Sequence, residues 1–408
     1  MRLVIAGDFL FPEGSASASR IRHMAKGLAQ LGHDAYVVTT VPQKASCNME
    51  SNIWHTLEGY YYYVAGPTIS SRSGQSYVGK IKEYYSAFRR GLYSGISCIE
   101  ELNEKKKVDV LIGYSYRYFC MHQLINYCRK RGILVVRDVV EWFDPAYFRM
   151  GRLNPLYWDR EFNMHLSLPK SDGIIAISRF IAEWFSARKM KVIRIPAIID
   201  PDLFTVNCKK KTDYCNDVFQ LTYLGGMIER DGPILMMKAV NEVLKSGLQI
   251  FFNIIGSEGN EGAALKAKQY AETKPLLKKQ MKFWGRVPQQ KLIEMLSCSD
   301  ALVFTRLDSR DAKATFPTRL PEYLMTGKPV ITSRVSDIAE YLVDDKEAVI
   351  VTPNSSNALA EGIRKLVKMP DRGEKIGVEG MKKCKQYFDY RIRCKDISDF
   401  IEDLLHNY

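Results

Sequence analysis

The sequence predicts an α/β protein of two domains, each a parallel β-sheet covered by helices. Three observations lead there. Short β-prone runs alternate with stretches of helical apolar spacing along nearly the whole chain, the mark of strand–helix–strand units. The alternation comes as two series, parted by a polar segment at Asn207 to Asp217 that holds Lys209-Lys210-Lys211 and few apolar residues. A length of 408 residues exceeds what one ordinary core organises but suits two. The expected boundaries are 1–200 for the first domain, 201–387 for the second and 388–408 for a last helix.

Taken in order, Arg2 to Gly7 (RLVIAG) is the first strand, and the loop DFLFPEGSASASR after it is rich in small residues. Ile21, Met24, Leu28 and Leu31 then fall at helical spacing, so a helix from about Ser19 to Leu31 lays one face on a sheet. Strand, small-residue turn and helix bring backbone N–H groups to the carboxyl edge of a parallel sheet, where open α/β sheets bind ligands. Arg20 and His23 are expected on that helix's outer surface. AYVVTT gives the second strand. The aromatic patch YYYYV at Tyr60 to Val64 is expected in the core, and a tyrosine-rich helix around Tyr84, Tyr85 and Phe88 follows.

Strands return at Val108 to Gly113 and Ile133 to Asp138, with a helix from about Phe119 to Arg131 between them. The second of these ends in Arg137-Asp138-Val139-Val140-Glu141, two carboxylates three residues apart at a strand's carboxyl edge. Asp138 and Glu141 are therefore catalytic candidates, with capping of the next segment as the alternative for Asp138. Asp172 to Ser178 is a buried strand whose Ser178 can N-cap a helix from Arg179 to Arg188, and VIRIP (Val192 to Pro196) closes the first series.

The second series has strands at Gln220 to Leu224, Gln249 to Ile255, Met281 to Trp284, Ala301 to Thr305, Pro329 to Thr332 and Ala348 to Val351. It ends in helices at about 372–387 and 390–405. Its densest stretch is Ala301 to Ser333. There Phe316-Pro317-Thr318 opens a helix that stops at Gly327: Pro317 suits a helix start, where its missing N–H would be unpaired, and Gly327 suits a C′ position of positive φ. The helix start points free N–H groups into a loop that carries Arg306, Arg310, Lys313 and Arg319, with the single carboxylate Glu322 one turn in. That is an anion site, unless the charges are simply those of a solvated surface helix.

The net charge of +13 calls for a negatively charged partner: nucleic acid, an anionic membrane surface or phosphorylated small molecules. No nucleic-acid-binding motif is visible. Basic residues thicken between Arg72 and Lys107 among several tyrosines, which favours a membrane surface or polyanionic acceptor for that segment. No apolar run approaches the roughly 18 residues of a membrane span, and Met1-Arg2 leads straight into LVIAG, so a cytoplasmic protein is expected. Nine cysteines without a C-x-x-C pair fit reduced, mostly buried thiols.

The string FPTRLPEYLMTGKPVI resembles the donor-site signature of retaining GT-B glycosyltransferases of the family 4 type (glycosyl transferases group 1), in the branch with FPT-K/R-x-x-E-Y. The resemblance implies two facing Rossmann-like domains that hold a nucleotide diphosphate sugar, with Phe316, Pro317, Thr318 and Arg319 at the donor. Of the family's two donor glutamates seven residues apart, the second matches Glu322, which the resemblance makes the ribose-hydroxyl ligand. Ala314 stands at the first. The sugar contact then passes to Arg306, Asp308 or Asp311. Gly14 and Ser15 match the small residues of the family's first loop, and Asp138 stands where a histidine commonly faces the donor sugar.

The turn Gly225 to Gly232 resembles the phosphate loop, with Gly226 and Asp231 where arginine and lysine are common and Arg230 as the cation for the diphosphate. Gly256 and Gly285-Arg286-Val287 match positions near the base. Ile195-Pro196-Ala197-Ile198-Ile199-Asp200 resembles the interdomain crossing, and the last helix is expected to cross back to the first domain.

The implied activity moves a sugar from a nucleotide diphosphate sugar to a hydroxyl acceptor with retention. The implied partners are that donor, a glycan or glycolipid acceptor of surface-polysaccharide or glycolipid assembly, and an anionic membrane surface at its inner face, with no nucleic acid. No cofactor is expected beyond the donor. No D-x-D pair calls for a divalent ion, so cations and helix ends neutralise the leaving diphosphate. Two other readings stay open: a non-catalytic scaffold that binds nucleotide sugars, and another GT-B chemistry such as nucleotide-sugar hydrolysis or epimerisation.

Overall fold

The computed structural model describes residues 1–12, 16–40, 53–64, 89, 92–93, 95–114, 117–148, 150–204 and 218–407. The chain divides into two compact units, Met1–Ile199 with Tyr390–Tyr408, and Asp200–Asp389.

The first unit holds strands β1 (Arg2–Gly7), β2 (Asp34–Thr39), β3 (Trp54–Leu57), β4 (Tyr60–Val64), β5 (Val110–Tyr114), β6 (Leu134–Val139), β7 (Gly173–Ala176) and β8 (Val192–Arg194) in the order β3-β4-β2-β1-β5-β6-β7-β8. All neighbours are parallel except β3 and β4, a hairpin that periodicity did not announce. Its helices are α1 (Ala16–Gln30), α2 (described over 95–105), α3 (Tyr118–Lys130), α4 (Pro155–Phe162) and α5 (Arg179–Ser186). Strand residues alternate between two cores, as the two-residue period dictates. Leu3 and Ile5 meet Ile21, Met24 and Leu28 of α1, while Val4 and Ala6 join Met121, Leu124 and Ile125 of α3 on the other face. Tyr60 and Tyr62 are buried as expected, whereas Tyr61 points outward. Ser178 caps α5, accepting from Ile181 N.

The second unit is a parallel sheet, β9 (Phe219–Leu224), β10 (Ile250–Ile255), β11 (Met281–Gly285), β12 (Ala301–Val303), β13 (Val330–Ser333) and β14 (Val349–Val351), ordered β11-β10-β9-β12-β13-β14. Helices α6 (Pro233–Lys245), α7 (Gly262–Glu272), α8 (Pro275–Lys279), α9 (Gln289–Ser297), α10 (Arg310–Ala314), α11 (Arg319–Met325), α12 (Ile338–Tyr341), α13 (Ser356–Lys368) and α14 (Glu374–Tyr387) accompany it.

The last helix, α15 (Tyr390–His406), belongs to the first unit. Tyr390 N donates to Ile199 O at 3.0 Å and its hydroxyl to Gln30 Oε1 at 2.9 Å, while His33 Nε2 and Ser398 Oγ lie 2.7 Å apart. Two glycines let α15 come close: a Cβ on Gly27 would run into Cys394, and one on Gly173 into Leu404. Of the cysteines in the described residues, Cys98, Cys120, Cys128, Cys384 and Cys394 are free and buried, and Cys298 is free and half-buried.

One expectation about α1 fails. Arg20 and His23 are not on its outer surface; both are buried, 3% and 2% exposed. Arg20 is held inside because it finds a buried carboxylate there.

Candidate functional site

At the carboxyl edge of the second sheet, three adjacent strands end in glycine. Gly225 follows β9, Gly256 follows β10 and Gly285 ends β11, with φ of +147°, +94° and +64°. Gly225 N donates to Ile255 O at 2.8 Å and Gly256 N to Gly285 O at 2.7 Å, so the edge is a continuous backbone ledge. A Cβ on Gly225 would lie 2.8 Å from the Tyr223 hydroxyl and 2.9 Å from Arg319 Nη2. That glycine makes room for a guanidinium.

Charged groups converge beside the ledge. Asp231, fully buried, takes the Tyr223 hydroxyl at 2.6 Å and Arg319 Nη2 at 3.1 Å on one oxygen, while Thr305 Oγ1 donates to its backbone carbonyl at 2.6 Å. The Arg319 guanidinium also stands 5.1 Å over the Tyr223 ring. Burial works against its charge, but Asp231 and the tyrosines outweigh that and raise its pKa.

Arg306 is only 5% exposed. Its backbone is fastened at both ends to one hydroxyl: its N–H donates to Ser333 Oγ at 2.8 Å, and that hydroxyl donates to its carbonyl at 2.9 Å. Its Nη1 donates to Thr315 Oγ1 at 2.9 Å. Burial, then the like charge of Arg230, pulls its pKa down to about 10. Arg230 itself lies 3.4 Å from buried Asp311. Three arginines thus face two carboxylates, and among the described residues Arg306 Nε and Arg319 Nη1 are buried without a hydrogen-bond partner. Buried N–H groups of this kind cost stability until an acceptor arrives, and a phosphate oxygen would be one.

Several predicted site residues lie elsewhere. Phe316 is 2% exposed and packs between Tyr341 and Phe388, each ring 5.5 Å away, so it serves the core and not a donor surface. Pro317 is buried too. The helix opens where expected, with Thr318 as its N-cap, although that side chain makes no capping bond; Leu320 N donates to Pro317 O at 3.1 Å, α11 runs seven residues from Arg319, and α10 fills the loop before it. Cations carry the local positive field more than the end of so short a helix can. Gly327 does end it at φ +70°.

Glu322 is half-buried and accepts no hydrogen bond from the described residues; burial pushes its carboxyl up to about 7, with Arg319 pulling the other way. Asp308 is exposed and pairs with Lys313 at 3.2 Å. Arg286 is exposed and Val287 half-buried, while Ala314 is fully buried. Gly14, Ser15, the helix expected at Tyr84 to Phe88, and most of residues 72–94 lie outside the described residues.

In the first unit, Asp138 is not an open carboxylate. Arg20 Nε and Nη2 grip its two oxygens at 2.7 and 2.9 Å, and the same guanidinium donates to Pro196 O at 2.6 Å and Ile195 O at 3.2 Å. Asp138 is 2% exposed, so both oxygens are spent on a buried bidentate pair, and neither an acceptor-facing role nor capping survives that geometry. Glu141 is half-buried and, with Trp142 and Arg160, lines a cavity of about 40 Å³.

Asp8, at the end of β1, escaped the sequence reading. It accepts from Thr40 Oγ1 at 2.8 Å, and burial pushes its carboxyl up to about 6 against the pull of Arg117 and Arg160. The signal was an aspartate directly after an apolar strand.

Solved structures match this architecture end to end. A glycosyltransferase from Rickettsia africae superposes with a TM-score of 0.71 at 15% identity, covering 100% of this chain and 99% of that one. The fold is GT-B. A sucrose-phosphate synthase from Thermosynechococcus elongatus gives 0.73 at 14% identity over 100% of both chains. Anabaena HepE in complex with UDP-glucose gives 0.68 at 12%, over 98% of this chain and 99% of that one.

Residues 209–383 match the family described as glycosyl transferases group 1, a segment that lies wholly in the unit with the arginine cluster. Two relatives align with the GT-B chain. One component of the phosphatidylinositol N-acetylglucosaminyltransferase of Arabidopsis thaliana is 19% identical over 382 residues, 90% of this chain and 75% of that protein. The D-rhamnosyltransferase WbpZ of Pseudomonas aeruginosa is 28% identical over 125 residues, 30% of this chain and 32% of that protein.

Proposed function

We propose that this protein is a glycosyltransferase that moves a sugar from a nucleotide diphosphate sugar to a hydroxyl acceptor, with retention and without a metal ion. The observation that carries the reading is the cluster of Arg230, Arg306 and Arg319 at the glycine ledge of the second sheet, with buried N–H groups of Arg306 and Arg319 awaiting an anion. A departing nucleoside diphosphate is such an anion. Arginines held in place by Asp231, Thr315 and Ser333 stabilise its growing charge without reorganising, and each preorganised donor is worth on the order of 3 kcal/mol. The resemblance makes Glu322 the ligand of a ribose hydroxyl, and a half-buried carboxylate that accepts no hydrogen bond from the described residues supports that reading. The name of one relative, a component of a phosphatidylinositol N-acetylglucosaminyltransferase, supports a glycolipid acceptor.

Titration calorimetry against UDP-, GDP- and ADP-sugars, with EDTA present, tests the donor. Binding of one of them that survives chelation is expected; binding that disappears with EDTA overturns the metal-free mechanism. Product analysis with the bound donor and a lipid-linked glycan tests the transfer and its stereochemistry.

A further inference from the structure

The arginine cluster of the second unit has unmet acceptors as well as unmet donors. Alongside Arg306 Nε and Arg319 Nη1, two carboxylate oxygens, Asp231 Oδ1 and Asp311 Oδ1, are buried with no hydrogen-bond partner among the described residues. The two kinds of group call for different partners. A diphosphate can satisfy the arginines, but its ionised oxygens only accept, so it leaves both carboxylate oxygens bare. What satisfies them must carry donors. The ribose hydroxyls are the expected partners of Glu322, and the remaining donors of a nucleotide sugar nearest its diphosphate are the hydroxyls of the sugar itself.

Of the two acids, Asp311 is the less satisfied. Asp231 takes the Tyr223 hydroxyl at 2.6 Å and Arg319 Nη2 at 3.1 Å on its other oxygen. The Asp311 side chain is 2% exposed, yet among the described residues it has one hydrogen bond, from Arg230 Nη1 at the long distance of 3.4 Å. A carboxylate taken out of water with so weak a partner costs stability until donors reach it. Its position is nevertheless fixed. Ser309 Oγ caps α10, accepting from Ala312 N at 3.1 Å, and Thr315 closes the other end, donating to the Asp311 carbonyl from N at 3.1 Å and from Oγ1 at 2.9 Å. The same hydroxyl accepts from Arg306 Nη1 at 2.9 Å, which locks the acid-bearing turn to the cluster. Arg230 is the more open of the two arginines paired with acids, its side chain 23% exposed against 17% for Arg319, so Asp311 lies towards the side from which a ligand enters. Its neighbours offer no rival: Ala314, three residues on and on the same helix face, has only a methyl group, and Asp308 is exposed and paired with Lys313 at 3.2 Å.

We infer that Asp311 reads the donor's sugar: its Oδ1 accepts from a hydroxyl of the sugar whose diphosphate lies against Arg230, Arg306 and Arg319. The inference rests on the donor reading above and adds the group that tells a nucleotide sugar from its bare nucleoside diphosphate. Such discrimination is strong, because a sugar lacking that hydroxyl leaves a buried carboxylate oxygen unpaired. The charge of Asp311 also fixes a sign. Its field reaches Arg306, so it offsets part of the positive charge offered to the diphosphate. The sugar gains from Asp311 while the diphosphate does not.

Calorimetry on the full chain compares UDP with UDP-glucose and UDP-N-acetylglucosamine, and GDP with GDP-mannose. In the wild type one of the sugar nucleotides is expected to bind at least about tenfold more tightly than its bare diphosphate. Asp311→Ala is expected to lose that advantage, with the bare diphosphate bound as tightly as before or more so. A second measurement needs no variant: among forms of the bound sugar nucleotide that lack one sugar hydroxyl each, one is expected to bind the wild type about tenfold more weakly than the parent. Asp311→Ala then binds that form and the parent alike. The inference is overturned if no sugar nucleotide outbinds its diphosphate, if every form lacking a hydroxyl binds like the parent, or if Asp308→Ala takes the advantage away instead. It is overturned too if Asp311→Ala weakens diphosphate and sugar nucleotide equally, which would leave Asp311 as a support for Arg230. Each of those results leaves the donor reading standing. A wild type that binds none of UDP, GDP and their sugars overturns the donor reading itself, and this inference with it.

Discussion

Replacing Asp138 by asparagine tests whether this residue holds the first unit together or works in the reaction. In the wild type Arg20 and Asp138 are 3% and 2% exposed and share two hydrogen bonds of 2.7 and 2.9 Å. The asparagine keeps the shape but loses the charge, and its amide N–H turns towards a guanidinium that also only donates. Arg20 is left buried with the carbonyls of Ile195 and Pro196 as its remaining partners. Removing one member of a buried ion pair costs about 3 to 5 kcal/mol. In a unit of this size each kcal/mol moves the midpoint by about 2 to 4 °C, so a fall of about 6 to 20 °C is expected by scanning calorimetry. Replacing both partners, Arg20→Met with Asp138→Leu, leaves no orphan charge and is expected to recover most of the loss. If Asp138→Asn melts within a degree of wild type while sugar transfer drops more than tenfold, the structural assignment is refuted and Asp138 belongs to the chemistry.

Three further outcomes concern the second unit. Folding raises the Glu322 carboxyl from 4.5 to about 7, so it favours the protonated form; that stability is whole below pH 4.5 and is lost as pH rises through 7. Glu322→Gln should therefore match wild type in chemical denaturation near pH 4 and exceed it by about 2 kcal/mol at pH 8, while weakening donor binding. Gly225→Ala places a methyl 2.8 Å from the Tyr223 hydroxyl and 2.9 Å from Arg319 Nη2 at a φ of +147°; a loss of about 1 to 3 kcal/mol in stability and about tenfold in UDP affinity by calorimetry is expected. Arg306→Met removes a buried charge that has no carboxylate on its own guanidinium, so thermal stability is expected to hold or rise while UDP binding weakens at least about tenfold.

Much of the fold was legible because strands and helices announce themselves locally. Runs such as VLIGY and LVVRDV, and the spacing of Ile21, Met24 and Leu28, are decided by residues within a few positions of each other. The short pieces were not: β3, α10 and α12 span only four or five residues each, too few to establish a period, and they exist because the surrounding sheet and loops hold them. Phe316 was misread for a related reason. Its neighbours in sequence are a proline and polar residues, but its neighbours in space are Tyr341 and Phe388.

The charged sites show the sharper division. Arg230, Arg306, Arg319 and Glu322 could be singled out, because a parallel sheet brings every loop at its carboxyl edge to one side, whatever the loops contain. Which charge would pair with which could not. Arg20 and Asp138 are 118 residues apart, and Arg319 and Asp231 are 88 apart. Local reading therefore sorted one ion pair into a surface arginine and a catalytic aspartate. The same logic separates the two units chemically. In the first, Arg20 has its charge answered by Asp138 and two more of its donors by carbonyls, and both Asp138 oxygens are spent on the pair, so the carboxylate is closed to ligands. In the second, Asp231 answers only part of Arg319 and Thr315 only part of Arg306, so the cluster keeps buried donors to spend on an incoming anion.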